Sequence, residues 1–187
     1  MEKATNRKKL YDLAVIPLFS AAIAVCSWIT VPFPGVPFTM QIFGIFLSLF
    51  TLGGKRGTIS LLVYLLLGAA GVPVFSSFRG GISVLLGTTG GYLLGFLPMA
   101  LLIWLAEPFF SGKALWRKVL VCAAGVAVCY AFGTVWFLVV YTSKTGPIGV
   151  WAVLLKCVLP FLLPDALKIF LAARLAALFR RLGFPRV

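Results

Sequence analysis

The sequence predicts an all-α integral membrane protein, with six transmembrane helices and both termini on the cytoplasmic side. Three observations carry that prediction. Hydrophobic residues make up 61% of the 187 residues and the mean hydropathy is +1.09, whereas soluble domains are nearer half apolar. The apolar residues form successive runs, several of them long enough to cross a hydrocarbon core of about 30 Å. The basic residues cluster between those runs, as a membrane protein needs. The length fits a single membrane domain, 1–187.

The spans are expected at about 13–31, 38–52, 58–72, 82–105, 119–141 and 161–180. The first follows a basic start and contains Ala22-Ile23-Ala24, a combination that imitates a signal peptide. Removing it would break the even span count, so it is read as a retained helix. The second, Phe38 to Leu52, and the third, Thr58 to Val72, are short and extend into their flanks or tilt little. The fourth and fifth are Ile82 to Leu105 and Val119 to Tyr141. The last apolar stretch, Val150 to Leu178, is long for one span and carries Pro160 and Pro164. Proline favours a helix start over a helix interior. Val150–Leu159 therefore reads as an interfacial or packed segment, and the sixth span as beginning near Pro164.

Charge sets the orientation. Lys3, Arg7, Lys8 and Lys9 precede span one, and Lys55 and Arg56 join spans two and three. Lys113, Arg117 and Lys118 join spans four and five, and Arg180, Arg181 and Arg186 follow span six. With six spans, all of these share one side, leaving Arg79, Lys144 and Lys156 opposite. The positive-inside rule puts the crowded side, with both termini, in the cytoplasm.

Several function classes fall away. The net charge of +13 sits in the junctions rather than on a soluble face, so no nucleic-acid partner is expected. Histidine is absent, which removes His-based triads, HExxH zinc sites and His-ligated haem. Cys26, Cys122, Cys129 and Cys157 lie in apolar context without a CxxC pair and read as buried thiols. Gly54-Lys55 is followed by Arg56, and Gly112-Lys113 by Ala114. Neither is a Walker loop, so the chain is not expected to hydrolyse ATP.

Small residues mark where helices touch. Gly87, Gly91 and Gly95 are spaced by four, as are Gly125, Cys129 and Gly133. Ala172/Ala176 and Ala173/Ala177 give span six a smooth face, and Ser20/Ala24 gives span one a smaller one. Such spacing lets backbones approach closely in lipid. It serves internal packing or, for Ser20 and Ala24, a partner protein.

The strongest clue to function is Asp165, the one acidic residue clearly inside a long apolar segment. An Asp or Lys at mid-bilayer costs about 2.5–3.5 kcal/mol on insertion scales, so it pairs or meets a solute. Lys168 lies three positions on, on the same helix face. Arg79, in Ser76-Ser77-Phe78-Arg79-Gly80-Gly81, is either a solvated loop charge or a fork for a carboxylate or phosphate. Gly87-Thr88-Thr89-Gly90-Gly91-Tyr92 is irregular backbone of the kind that lipid tolerates only beside a cavity. Gln41, at the outer end of span two, binds a solute or caps a helix. Among the aromatic residues, Trp136 and Tyr92 are candidate ligand contacts. Trp28, Tyr130, Tyr141 and Trp151 read as interface belt or core.

Taken together, three stretches resemble the BioY family, the biotin-specific substrate-binding (S) component of energy-coupling-factor (ECF) transporters. They are Val36-Pro37-Phe38-Thr39-Met40-Gln41 with Gly53-Gly54-Lys55-Arg56-Gly57, then Gly71-Val72-Pro73-Val74-Phe75 through Arg79-Gly80-Gly81 to Gly91-Tyr92, and Leu163-Pro164-Asp165-Ala166-Leu167-Lys168. The resemblance runs over nearly the whole chain. It departs from the family at Gly87-Thr88, where the family has Gly-Pro, and at Leu93, where some members carry Arg.

The resemblance implies six helices and an outward-facing pocket for biotin, with no cofactor or metal. It also implies a bacterial plasma-membrane location, a transmembrane coupling protein and two cytoplasmic ATPases as partners, and no enzymatic activity. Asp165 would accept from a urea N–H of biotin, Lys168 would balance it and donate to the ligand, and Arg79 would clamp the carboxylate, or, in the reverse pose, Lys168 would take the carboxylate. Gln41, Tyr92, Gly90, Gly91 and Trp136 would complete the site, and Ser20 and Ala24 would stand in for the family's Ala-x-x-x-Ala docking face. Two other readings remain open from the residues. One is the same architecture for thiamine or riboflavin. The other is a small membrane enzyme acting on lipid or prenyl substrates, which would want more carboxylates or histidines.

Overall fold

The computed structural model describes residues 2–32, 36–110 and 115–182, with the side chains at 2–8, 110 and 115 excepted. The side chains of Lys3, Arg7, Lys8, Lys113 and Arg186, used above for orientation, lie outside the described residues. Helix α1 runs Glu2–Trp28, α2 Gln41–Leu52 and α3 Gly54–Ala69. A 3-10 turn at Ser76–Phe78 and the single turn α4, Ile82–Leu85, lead into α5, Gly90–Phe110. The chain then forms α6, Leu115–Thr145, α7, Val150–Cys157, and α8, Leu159–Arg181. Two short strands, β1 (Thr30–Val31) and β2 (Phe38–Thr39), pair antiparallel, with Thr30 opposite Thr39.

By length and composition, four helical stretches among the described residues are long and apolar enough to cross a membrane: Lys9–Trp28, Gly90–Phe109, Trp116–Thr145 and Val150–Arg181. Helix α2 is apolar but shorter. Its 12 residues reach only about 18 Å at 1.5 Å per residue. It is buried nearly all round, held among α1, α3 and α8. A helix sheathed by protein need not match the lipid thickness by itself.

Two segments differ from the sequence expectation. The span expected over Ile82 to Leu105 is interrupted at its glycine-rich stretch, because α4 ends at Leu85 and α5 starts at Gly90. The chain doubles back there, and a Cβ on Gly90 would stand 1.8 Å from the Leu85 carbonyl oxygen. Helix α8 starts at Leu159 rather than near Pro164, with Pro160 in its first turn and Pro164 inside. Pro164 lacks the N–H that would bond four residues back. The helix loses that one bond and continues.

The small-residue rows on α5 and α6 interlock. A Cβ on Gly91 would meet Trp136 at 2.2 Å, one on Gly133 would meet Tyr92 at 2.1 Å, and one on Gly95 would meet Cys129 at 3.0 Å. Gly91 and Gly133 are sockets for side chains of the facing helix, and Gly95 lets the α6 backbone approach, its nearest neighbour being the Cys129 carbonyl oxygen. Ala172 and Ala176 on α8 are fully buried.

Polar clamps close one end of the bundle. Arg56 Nε donates to Asp12 Oδ1 at 2.6 Å, joining α3 to α1. The Gly54 N–H donates to Glu107 Oε2 at 2.9 Å, joining α3 to α5. Gly53 makes the α2–α3 turn with φ 86°, a conformation that favours glycine. At the other end, Phe75 is buried beneath Gly68, and the Trp28 indole N–H donates to the Pro73 carbonyl at 2.9 Å. Ser77 and Phe78 both have positive φ, so the loop carrying Arg79 is held in a strained conformation.

Candidate functional site

The site is built on the buried face of α8. Phe161, Asp165, Lys168, Ala172 and Ala176 recur every three or four residues and all turn inward. Asp165 is 3% exposed and Lys168 5%. Charges buried so deeply must be paired, and these are. Lys168 Nζ donates to Asp165 Oδ1 at 2.8 Å. The Tyr130 hydroxyl, from α6, donates to the other oxygen, Oδ2, at 2.6 Å. The ammonium also lies 3.8 Å from the centroid of the Phe38 ring, where the π face attracts a cation. Phe38 in turn stacks on Phe161, with centroids 5.9 Å apart.

This cluster faces a cavity between the ends of α2, α5, α6 and α8. Its polar lining includes Thr39, Gln41, Ser76, Arg79, Thr89, Tyr92 and Tyr130 beside Asp165 and Lys168. Val36, Ile42, Val84, Leu93, Phe96 and Phe161 supply apolar wall. The cavity lies at the end of the bundle away from the Asp12–Arg56 and Glu107–Gly54 clamps. Each carboxylate oxygen of Asp165 still has acceptor capacity, and Lys168 has N–H donors beyond the one given to Asp165. The arrangement can therefore hold a small, mostly apolar molecule that offers both donors and acceptors.

The predicted residues divide into two groups. Gln41 is buried at the start of α2, where its Nε2 donates to the Tyr64 hydroxyl at 3.0 Å. That hydroxyl passes the chain on to Ser27 Oγ at 3.2 Å. No described residue pairs with the Gln41 side-chain oxygen. Tyr92 lines the cavity with its hydroxyl 3.2 Å from Thr134 Oγ1. Arg79 is exposed at the mouth, folded onto Ser76 with its Nε 3.3 Å from the Ser76 carbonyl. Gly90, Gly91 and Trp136 are not on the described cavity wall. They pack instead: Gly91 seats Trp136, whose indole N–H donates to the Gly87 carbonyl at 3.0 Å and pins the glycine-rich turn.

Ser20 and Ala24 are both buried. Ser20 Oγ donates to the Ser60 carbonyl of α3 at 2.8 Å. With Pro17, Ala21 and Val25 of α1 and Val63 and Leu67 of α3, Ser20 and Ala24 line an apolar groove, and Leu13, Ala14 and Leu18 are exposed on the same helix.

Sequence reasoning missed Tyr130, read above as belt or core. A buried tyrosine needs a partner for its hydroxyl, which was a usable signal. The partner itself depends on α6 meeting α8. Cys129 and Cys157 also line the cavity. Among the described residues, no group of three His, Cys, Asp or Glu side chains could hold a metal ion.

The profile of the BioY family matches residues 1–183. The chain belongs to the BioY family. A BioY relative named as a biotin transporter in Thermotoga maritima is 39% identical over 171 residues, covering 90% of this chain and 95% of the relative. A second BioY protein of that name, from Rhodobacter capsulatus, is 31% identical over 180 residues and covers 90% and 94%. The fold matches a crystal structure described as the S-component for biotin from an ECF-type ABC transporter. The TM-score is 0.79 at 27% identity, covering 94% of each chain.

Proposed function

We propose that this BioY-family chain is the biotin-binding membrane subunit of an uptake transporter, a binding component rather than an enzyme. The reading extends to six spans, with α2 and α3 among them, in the bacterial plasma membrane and with both termini in the cytoplasm. A transmembrane coupling protein and two cytoplasmic ATPases would supply the energy. The observation that carries the reading is a cavity matched to biotin's chemistry in a chain so similar to biotin transporters along its length. Biotin presents two urea N–H donors, one carbonyl, an apolar sulfur ring and a carboxylate tail. Asp165 would accept from a urea N–H, and Lys168 or Gln41 would donate to the carbonyl. Leu93, Phe96 and Phe161 would hold the ring, and Arg79 at the mouth would take the carboxylate.

The test is equilibrium binding of labelled biotin to the detergent-purified chain, cleared of endogenous ligand and challenged with desthiobiotin, thiamine and riboflavin. Saturable one-to-one binding without ATP, displaced only by desthiobiotin, is expected. Asp165→Asn should weaken binding by about 1.5–3 kcal/mol, one charge-assisted hydrogen bond. No binding by well-folded protein, or unchanged affinity in Asp165→Asn, overturns the assignment. For topology, single cysteines replacing Ser77 and Lys118 in a cysteine-free background should be labelled from opposite sides of the membrane.

A further inference from the structure

Arg174, in the middle of α8, has no role in the site described above. Arg174 lies inside the apolar stretch Val150–Arg181 and is exposed. It sits diametrically opposite the buried row of Asp165, Lys168, Ala172 and Ala176, on a flank with Leu163, Leu167, Phe170 and Leu178, all of them exposed. Among the described residues, none forms a hydrogen bond or ion pair with it. A permanently charged guanidinium exposed on an apolar stretch is costly in lipid, and its head is stabilised by reaching the interface, where an anion can meet it.

Geometry selects the anion. Arg181 is exposed on the same stripe, seven residues on, about 10.5 Å along the axis. It lies at the end of α8, in the basic end of the bundle. The Arg174 stem is long enough to lie along the apolar flank and raise its head towards that end. Leu178 lies between the two arginines, and beyond Arg174 the same flank carries the bulky, exposed Phe170, Leu167 and Leu163, with Ala173 and Ala177 only at its edge. Such a surface suits acyl chains better than a partner helix.

We propose that Arg174 and Arg181 form a site for an anionic phospholipid. The guanidinium of Arg174 takes the phosphate through its paired N–H donors, Arg181 adds a second positive charge, and the acyl chains lie along Phe170, Leu167 and Leu163. The site is independent of the biotin cavity on the opposite face of the helix.

Native mass spectrometry of the purified full chain, equilibrated with equal amounts of phosphatidylglycerol and phosphatidylcholine, tests the proposal. The unaltered chain should retain phosphatidylglycerol preferentially. Arg174→Leu should lower that retention at least five-fold, Arg174→Lys less, and Arg117→Gln on α6 should leave it in place. Biotin affinity should be the same in all of them. If Arg174→Leu expresses poorly, Arg174→Gln serves in its place. Equal retention of both lipids by the unaltered chain, or undiminished phosphatidylglycerol retention in the Arg174 variants, overturns the proposal. Loss of the coupling protein from Arg174→Leu with lipid retention intact would assign the residue to a partner's carboxylate instead.

Discussion

Removing the Tyr130 hydroxyl tests whether the site depends on a carboxylate held in a fixed direction. Tyr130→Phe deletes one oxygen and keeps the ring. The lost bond is 2.6 Å long, within the range of hydrogen bonds to an ionised acceptor, which contribute about 1.5–3 kcal/mol each. Tyr130 is only half-buried, so cavity water replaces part of that loss and brings the net cost below that range, to about 1 kcal/mol. Asp165 keeps Lys168, and its charge stays balanced. The ligand-free protein should therefore lose about 1 kcal/mol, or roughly 2–4 °C of thermal stability. Biotin affinity should fall by a similar free energy, about five-fold, because a carboxylate free to rotate must be re-ordered when the ligand arrives.

A double-mutant cycle separates positioning from packing. Biotin dissociation constants would be measured by isothermal titration for the unaltered chain, Tyr130→Phe, Asp165→Asn and the double variant. If Tyr130 acts through Asp165, the second substitution costs less once the first is present, with a coupling of about 0.5 kcal/mol or more. Losses that add to within about 0.3 kcal/mol, or an unchanged affinity in Tyr130→Phe, would refute the positioning argument.

Further outcomes follow from the same geometry. Lys168→Met leaves Asp165 as a buried charge without its cation and should destabilise the protein by about 3–5 kcal/mol. Combining it with Asp165→Asn should recover thermal stability but not biotin binding, and a single variant as stable as the parent would contradict this. Gly133→Ala drives a methyl into the Tyr92 ring, 2.1 Å from Cδ1. It should cost about 1–3 kcal/mol by thermal unfolding in detergent and weaken binding by displacing Tyr92. Arg79→Ala, at an exposed position, should change stability by less than about 0.5 kcal/mol. It should weaken biotin but not biotin methyl ester, and equal losses for the two ligands would remove Arg79 from the carboxylate.

The membrane class and the central ion pair were legible in the sequence for one physical reason. Lipid makes charge expensive, so every charged residue inside an apolar run needs a cause. Asp165 and Lys168 stood out on those grounds, and the i, i+3 spacing alone placed them together. The small-residue rows of α5 and α6 were readable as packing because glycine leaves room that a facing side chain must fill.

Tertiary structure decided which helices meet, and that changed the roles of several residues. Tyr130 belongs to the site only because α6 brings it to α8. Trp136 and Gly91, plausible as ligand contacts from their chemistry, proved to be partners of each other across the α5–α6 seam. Ser20 and Ala24 are buried because α1 packs on α3, where the Ser20 hydroxyl reaches the Ser60 carbonyl. Arg174 gains its meaning from lying opposite the buried row, a fact about the direction of a helix face within the bundle. Sequence determines how much charge and apolar surface each span carries, since those are properties of single residues and their local spacing. Contacts between distant spans depend on how the helices pack around one another, and only the assembled bundle fixes that.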